Sequence, residues 1–343
     1  MSITDLFSIE LPIIQAPMAG VQGSALAIAV SHAGGLGSVP CATLSVDQIR
    51  QELAAITAAT SKPYNVNFFA HQQPQPDERR EAAWRQVLAP YYAELGIDQS
   101  AIHGGPGRLP FSDEAADLLE EFKPPVVSFH FGLPSEALVA RVKRWGAKVL
   151  SSATTVDEAR WLEARGVDAV IAQGLEAGGH RGIFLSADLN TQAGTFSLVQ
   201  QIAKAVRVPV IAAGGIADAS GVRAALQIGA VGVQVGTAYL LCPEATTSAV
   251  HRAALKSDAA ALTALTNVFT GRPARGIVNR LMREVGPISN SAPQFPLAAS
   301  AVLPLKMKAE AGGSGDFSSL WAGQNAVGCR EMPAAELTRL LGR

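Results

Sequence analysis

Short apolar runs rich in Val, Ile and Ala recur along the chain, separated by stretches whose apolar positions follow a helical spacing. The runs are Leu11–Gln15, Leu36–Val39, Pro63–Phe69, Pro125–Gly132, Ala147–Ala153, Ala169–Gln173, Pro209–Gly215 and Gly232–Thr237. A short run that is apolar on both sides reads as a parallel strand covered on both faces. Helices are predicted over 24–31, 45–58, 112–122, 135–145, 155–165, 196–205 and 219–228. Ser45 suits an N-cap. Thr155 and Glu158 have the spacing of a capping box, and Ala33-Gly34-Gly35 stops the first helix. One interval is long: residues 71–122 separate the third strand from the fourth. It should hold a helix over 82–95, kinked or broken at Pro90, and a loop over 102–110.

Eight strand–helix units predict an α/β fold, the (β/α)8 TIM barrel, over residues 1–240. A doubly wound open sheet would place phosphate-binding glycines after the first strand; here they follow the sixth to eighth. Residues 241–300 are expected to form a small cap over the barrel mouth, with 301–343 returning to the barrel wall. Within this part, 244–257 and 259–265 read as helices, and 268–278 as extended or looped. Residues 297–311 read as a helix interrupted by Pro304, and 334–341 as a last helix.

Composition narrows the class. The 343 residues are 48% hydrophobic and 17% charged, with net charge −1. No overall field favours nucleic acid or an anionic membrane. Three scattered cysteines without a Cys-x-x-Cys argue against a disulfide framework or a structural zinc. The start lacks a signal-peptide pattern, and no apolar run has the length of a membrane span. A soluble cytoplasmic enzyme, monomeric or homodimeric, is expected.

In a TIM barrel the chemistry sits at the C-terminal ends of the strands. Those ends deliver Ala16-Pro17-Met18, Asn65 and Asn67, Ser128 and His130, Gln173, Gly214-Gly215, and Gln234-Val235-Gly236-Thr237. Backbone N–H groups at Gly214, Gly215, Gly236 and Thr237 suit a phosphate, whether of a sugar phosphate or a flavin mononucleotide. Asn65, Asn67, His130 and Gln173 look like a ring of hydrogen-bonding groups around a planar polar guest, with Met18 beside Pro17 at its edge. The ring favours the flavin. No strand end carries a lysine for a Schiff base, or a carboxylate pair for glycoside or divalent-metal chemistry. After the sixth strand comes Gln173-Gly-Leu-Glu-Ala-Gly178-Gly179-His180-Arg181-Gly182. Its glycines let backbone approach a bound group, and His180 can exchange protons near neutral pH. Arg181 either holds an anion or faces solvent.

These motifs resemble the nitronate monooxygenase family, formerly called 2-nitropropane dioxygenases. The resemblance rests on Gln15–Gly20, Ser31–Gly37, Asn65–Phe69, Val127–Gly132, Gln173–Gly182, Pro209–Gly215, Gln234–Thr237 and Asp316–Gln324. It implies an FMN enzyme that oxidises alkyl nitronates with O2 to a carbonyl compound and nitrite, the nitronate giving one electron to FMN. By the same resemblance His180 is the base, which matters most for neutral nitroalkanes. Asn67, Gln173, Gly178, Gly215 and Gln234–Thr237 are FMN contacts, and His130 is a pocket residue. The family's pocket Tyr and Lys do not transfer, since 295–308 holds Lys306 and Lys308 but no Tyr. Other readings stay open: an NAD(P)H-dependent flavin reductase of quinones or enoyl thioesters, or a non-catalytic binder of phosphate ligands.

Overall fold

The computed structural model describes residues 2–102 and 107–343; part of the expected 102–110 loop, residues 103–106, lies outside them. Its strands are β1 (Ile13–Gln15), β2 (Gly37–Pro40), β3 (Tyr64–Phe69), β4 (Val126–His130), β5 (Lys148–Ala153), β6 (Ala169–Gln173), β7 (Gly179–His180), β8 (Val210–Ala213), β9 (Gly232–Val235), β10 (Thr263–Thr266) and β11 (Ala274–Ile277). Eight of them pair in parallel in the order β1-β9-β8-β6-β5-β4-β3-β2. A bridge between Ile14 and Leu36 brings the two ends together. This is the (β/α)8 barrel.

The two-residue period of each strand sorts its side chains. Tyr64, Val66 and Phe68 of β3, Val127 and Phe129 of β4, and Val233 and Val235 of β9 pack outward in the core under the helices. Ile14, Leu36, Val126, Leu150, Ile171 and Ile211 form a separate core with Ile3 and Phe7. The latter two come from a short helix, Ile3–Phe7, capped by Ser2.

Residues from distant parts of the chain build a second core. Trp84, Leu88 and Tyr92 of helix Glu78–Leu95 pack with Val268, Phe269, Leu281, Val302, Leu305 and Phe317. Tyr92 Oη donates to Ala301 O (2.6 Å) and Trp84 Nε1 to Ala298 O (3.3 Å). The two helices so joined, Glu78–Leu95 and Ala298–Ala311, run unbroken through Pro90 and Pro304. The expected interruptions do not occur, because packing along one face outweighs the one backbone bond that a proline removes.

Two further expectations change. Residues 263–266 are β10, paired antiparallel with β11, not the end of a helix; the helical part upstream is Ala249–Leu255. The Thr155 capping box is only half made. Thr155 accepts from Glu158 N, but the Glu158 carboxylate turns inward, bonding Thr154 N and Oγ1 and the N–H groups of Phe184 and Leu185. Four donors in the interior outcompete one half-buried cap N–H.

Candidate active site

One cavity opens at the C-terminal ends of the barrel strands. Ala16, Pro17, Met18, Asn67, His130, Gln173, Gly178, Gly179, His180, Gly214, Gly215, Gln234, Gly236 and Thr237 all line it. Two expected residues do not. Val235 points outward into the core, one position out of phase with Gln234. Asn65 lies deeper in the barrel, donating to Ser38 Oγ at 3.0 Å. Its neighbour two residues on, Asn67, reaches the wall, and its amide nitrogen bonds Ser128 O and Oγ.

His180 is positioned from outside its own loop. Its backbone is the short β7, paired with Ala274 of β11. Its Nε2 lies 2.9 Å from Thr270 Oγ1, and that hydroxyl is within 3.4 Å of Arg272 O. A threonine that donates to this carbonyl accepts from Nε2–H, leaving the lone pair on Nδ1. Nδ1 bonds nothing else among the described residues. Phe295, Trp321, Phe131 and Phe69 surround the ring at centroid distances of 5.2, 5.5, 6.0 and 6.3 Å.

The loop is braced through its carbonyls. His180 O accepts from Gln173 Nε2 (2.9 Å) and from His130 Nε2 (3.1 Å), while His130 Nδ1 meets Ser152 Oγ at 3.0 Å. A carbonyl on Nε2 requires the proton there, so the neutral His130 accepts from Ser152 on Nδ1. Gln173 Oε1 accepts from Gly182 N. Both side-chain groups of Gln173 are therefore committed to the loop. Arg181 neither faces solvent nor enters the cavity. It is fully buried and donates to Gly174 O (2.6 Å), Gln173 O (2.7 Å) and Gln192 Oε1 (3.0 Å). Gly178 also packs against the tail: a Cβ there would lie 2.6 Å from the Ala322 and Gly323 backbone.

At β8 and β9, the N–H groups of Gly214, Gly215, Gly236 and Thr237 donate to no protein acceptor among the described residues. Gly214 and Gly215 have φ of +119° and +73°, a region that suits glycine. The C-terminal stretch holds this corner in place. Gly323 N donates to Thr237 Oγ1, Asn325 Nδ2 to Gly215 O, and Gln324 N to Glu176 O.

The nitronate monooxygenase family model matches residues 1–342. The chain belongs to that family. It is 45% identical to the nitronate monooxygenase of Pseudomonas aeruginosa, over 98% of this chain and 97% of that one. Identity to the nitronate monooxygenase of Paraburkholderia phytofirmans is 43%, over 100% and 94%. Among solved structures, a nitroalkane oxidase from Streptomyces ansochromogenes superposes with a TM-score of 0.90 at 41% identity, covering 99% of this chain and 96% of that one. FabK from Thermotoga maritima gives 0.76 at 28% identity, covering 99% and 94%. The protein is thus an oxidoreductase whose activity class is oxidation of nitronates or nitroalkanes.

The interior of this family member favours neutral imidazoles. Burial pushes His71 and His251 down to about 4 and His130 to about 3. Burial, with the charge of Arg108, holds His180 well below the ordinary histidine range. An unfolded chain binds these protons near pH ~6.5 and the folded one only lower. Stability is therefore complete above that pH and is lost as pH falls toward 4 and 3. The urea midpoint at pH 5 should lie clearly below that at pH 7.5, each imidazole contributing up to ~1.4 kcal/mol per pH unit. Equal midpoints would contradict this account.

Several site residues had no local signal. Thr270 is a single threonine in a loop, Arg108 follows a glycine-rich stretch, and Trp321 and Gly323 come from the far tail. The matched segment 316–324 was the one clue that the tail takes part. Lys306 lies on the surface of helix Ala298–Ala311, near Glu310, outside the cavity wall.

Proposed function

We propose that this protein oxidises alkyl nitronates, and neutral nitroalkanes after deprotonation, with O2 and bound FMN, giving carbonyl compounds and nitrite. The observation that carries this reading is His180 on the wall of a cavity that is also lined by Gly214, Gly215, Gly236 and Thr237, whose four N–H groups have no acceptor among the described residues.

The residues present fit FMN. Gln234 Oε1 is buried without a partner among the described residues, as a ligand donor would require. The glycines of 214–215 keep side chains off the N–H cradle, and Met18, held by Gln22 through its N–H, supplies an apolar edge. The N–H groups of 214, 215, 236 and 237 would hold the phosphate, while Gln234, Asn67 and Met18 would meet the ring. When bound, FMN supplies the acceptor for the nitronate's electrons and delivers them to O2. The chain does the rest. His180 takes the α proton of a neutral nitroalkane, while Thr270 and the His130–Gln173 brace keep its imidazole aimed. The aromatic wall of Phe69, Phe131, Phe295 and Trp321 limits water around it.

Ethyl nitronate and O2 supplied without NAD(P)H should yield nitrite. Failure to release nitrite, together with rapid anaerobic bleaching of the flavin by NADH, would favour a reductase instead. The phosphate assignment has its own test. Gly215→Ala adds a methyl in a left-handed backbone region beside Glu176. FMN affinity should fall ~10-fold or more, the loss of one charge-assisted bond, with a lower flavin content on purification. Unchanged affinity would place the phosphate elsewhere.

A further inference from the structure

Among the described residues lining the cavity there is no aspartate, glutamate or lysine, and a single permanently charged side chain, Arg108. Its Nε and Nη1 are buried and have no hydrogen-bond partner among the described residues. The guanidinium lies 5.7 Å from the centroid of Phe295, a ring that also packs against His180. The backbone is anchored: Arg108 O accepts from Gln73 Nε2 at 2.7 Å and meets His71 Nε2 at 3.1 Å. The second guanidinium nearby, Arg272, is held in place: it stacks 3.9 Å over Phe131 and donates to Ile183 O, which leaves only its Nε buried without a partner among the described residues, against two such nitrogens on Arg108.

A desolvated guanidinium without a counter-ion is costly unless a functional partner completes it. The phosphate cradle is not that partner. Arg108 lies in the excursion after β3, and the cradle follows β8 and β9, on the opposite side of the strand ring. What reaches Arg108 must come to the His180 side of the cavity. A nitronate is planar, anionic and carries two oxygens on one nitrogen, which matches the two-pronged donor geometry of arginine.

We propose that Arg108 is an anion-recognition site that binds the two oxygens of the substrate's nitronate group beside His180. It sets the preference for an anionic over a neutral substrate. For neutral nitroalkanes the same contact stabilises the negative charge that moves onto the oxygens as His180 removes the proton. The substrate part of this inference rests on the nitronate reading above; the anion site itself does not.

The test uses the purified holoenzyme and its Arg108→Met and Arg108→Lys variants. Inorganic nitrate, a planar anion that is not turned over, serves as the binding probe by titration calorimetry. Arg108→Met should raise the nitrate Kd and the KM for ethyl nitronate ~10- to 100-fold, with a much smaller change in kcat. Arg108→Lys, which keeps charge but loses the fork, should fall between. Nitrate binding equal in wild type and Arg108→Met overturns the site. If Arg108→Met does not fold, Arg108→Lys decides: nitrate affinity and KM unchanged from wild type overturn the proposal. If the wild type releases no nitrite from nitronate, the function reading fails while the calorimetry still judges the anion site.

Discussion

His180→Asn should lower turnover of neutral nitroethane by ~10²-fold or more, the usual cost of losing a general base, and turnover of ethyl nitronate far less. The asymmetry follows from the chemistry: a nitronate arrives deprotonated, so the imidazole has no proton to take. Asparagine keeps a polar side chain of similar reach and leaves the β7–β11 pairing intact. The pH profile gives a second readout. Burial and Arg108 hold the His180 imidazole neutral well below the ordinary histidine range, and the unprotonated form is the active base. The rate on neutral nitroalkane should therefore stay level as pH falls through ~6.5 and decline only below it. Equal losses on both substrates in the variant would remove His180 from the base role.

Arg181→Ala should be the most destabilising change in the site, by about 3 kcal/mol or more in urea unfolding. The side chain is fully buried, and its guanidinium ties the carbonyls at the end of β6 to Gln192. Truncation takes a charged donor from three acceptors, of which Gly174 O alone keeps a backbone partner, the Ala177 N–H, and it leaves a void between β6 and the loop after it. Because that loop carries His180, nitroalkane turnover should fall as well, although Arg181 does not line the cavity. Arg181→Lys should recover part of the stability through charge but not the fork of bonds. A loss under 0.5 kcal/mol, the range of ordinary surface substitutions, would show that the clamp contributes little.

The different fates of neighbouring residues show which features were local. Gln234 and Val235 were both read as cofactor contacts, and strand alternation alone separates them: Gln234 turns to the cavity and Val235 to the helices. Asn65 and Asn67 share a face, yet depth along β3 decides that only Asn67 reaches the cavity wall. Depth depends on strand register around the ring, which no single strand encodes. Arg181 follows a histidine in a polar, glycine-rich loop, a context typical of exposed loops. Its burial comes from carbonyl groups that converge only once β6 and the 189–192 turn are in place.

By itself, then, the chain's order of apolar runs and turns determined the barrel, the strand ends and the loop that carries His180. Those features come from spacing along a few residues, where side-chain direction is set by backbone geometry. The tertiary structure alone decided what His180 touches: Thr270, 90 residues further on, β11 behind its backbone, and the tail tryptophan across its ring. It also decided that two proline-containing helices run unbroken in the second core. Such contacts join segments whose proximity depends on how the whole chain closes, so no local pattern records them.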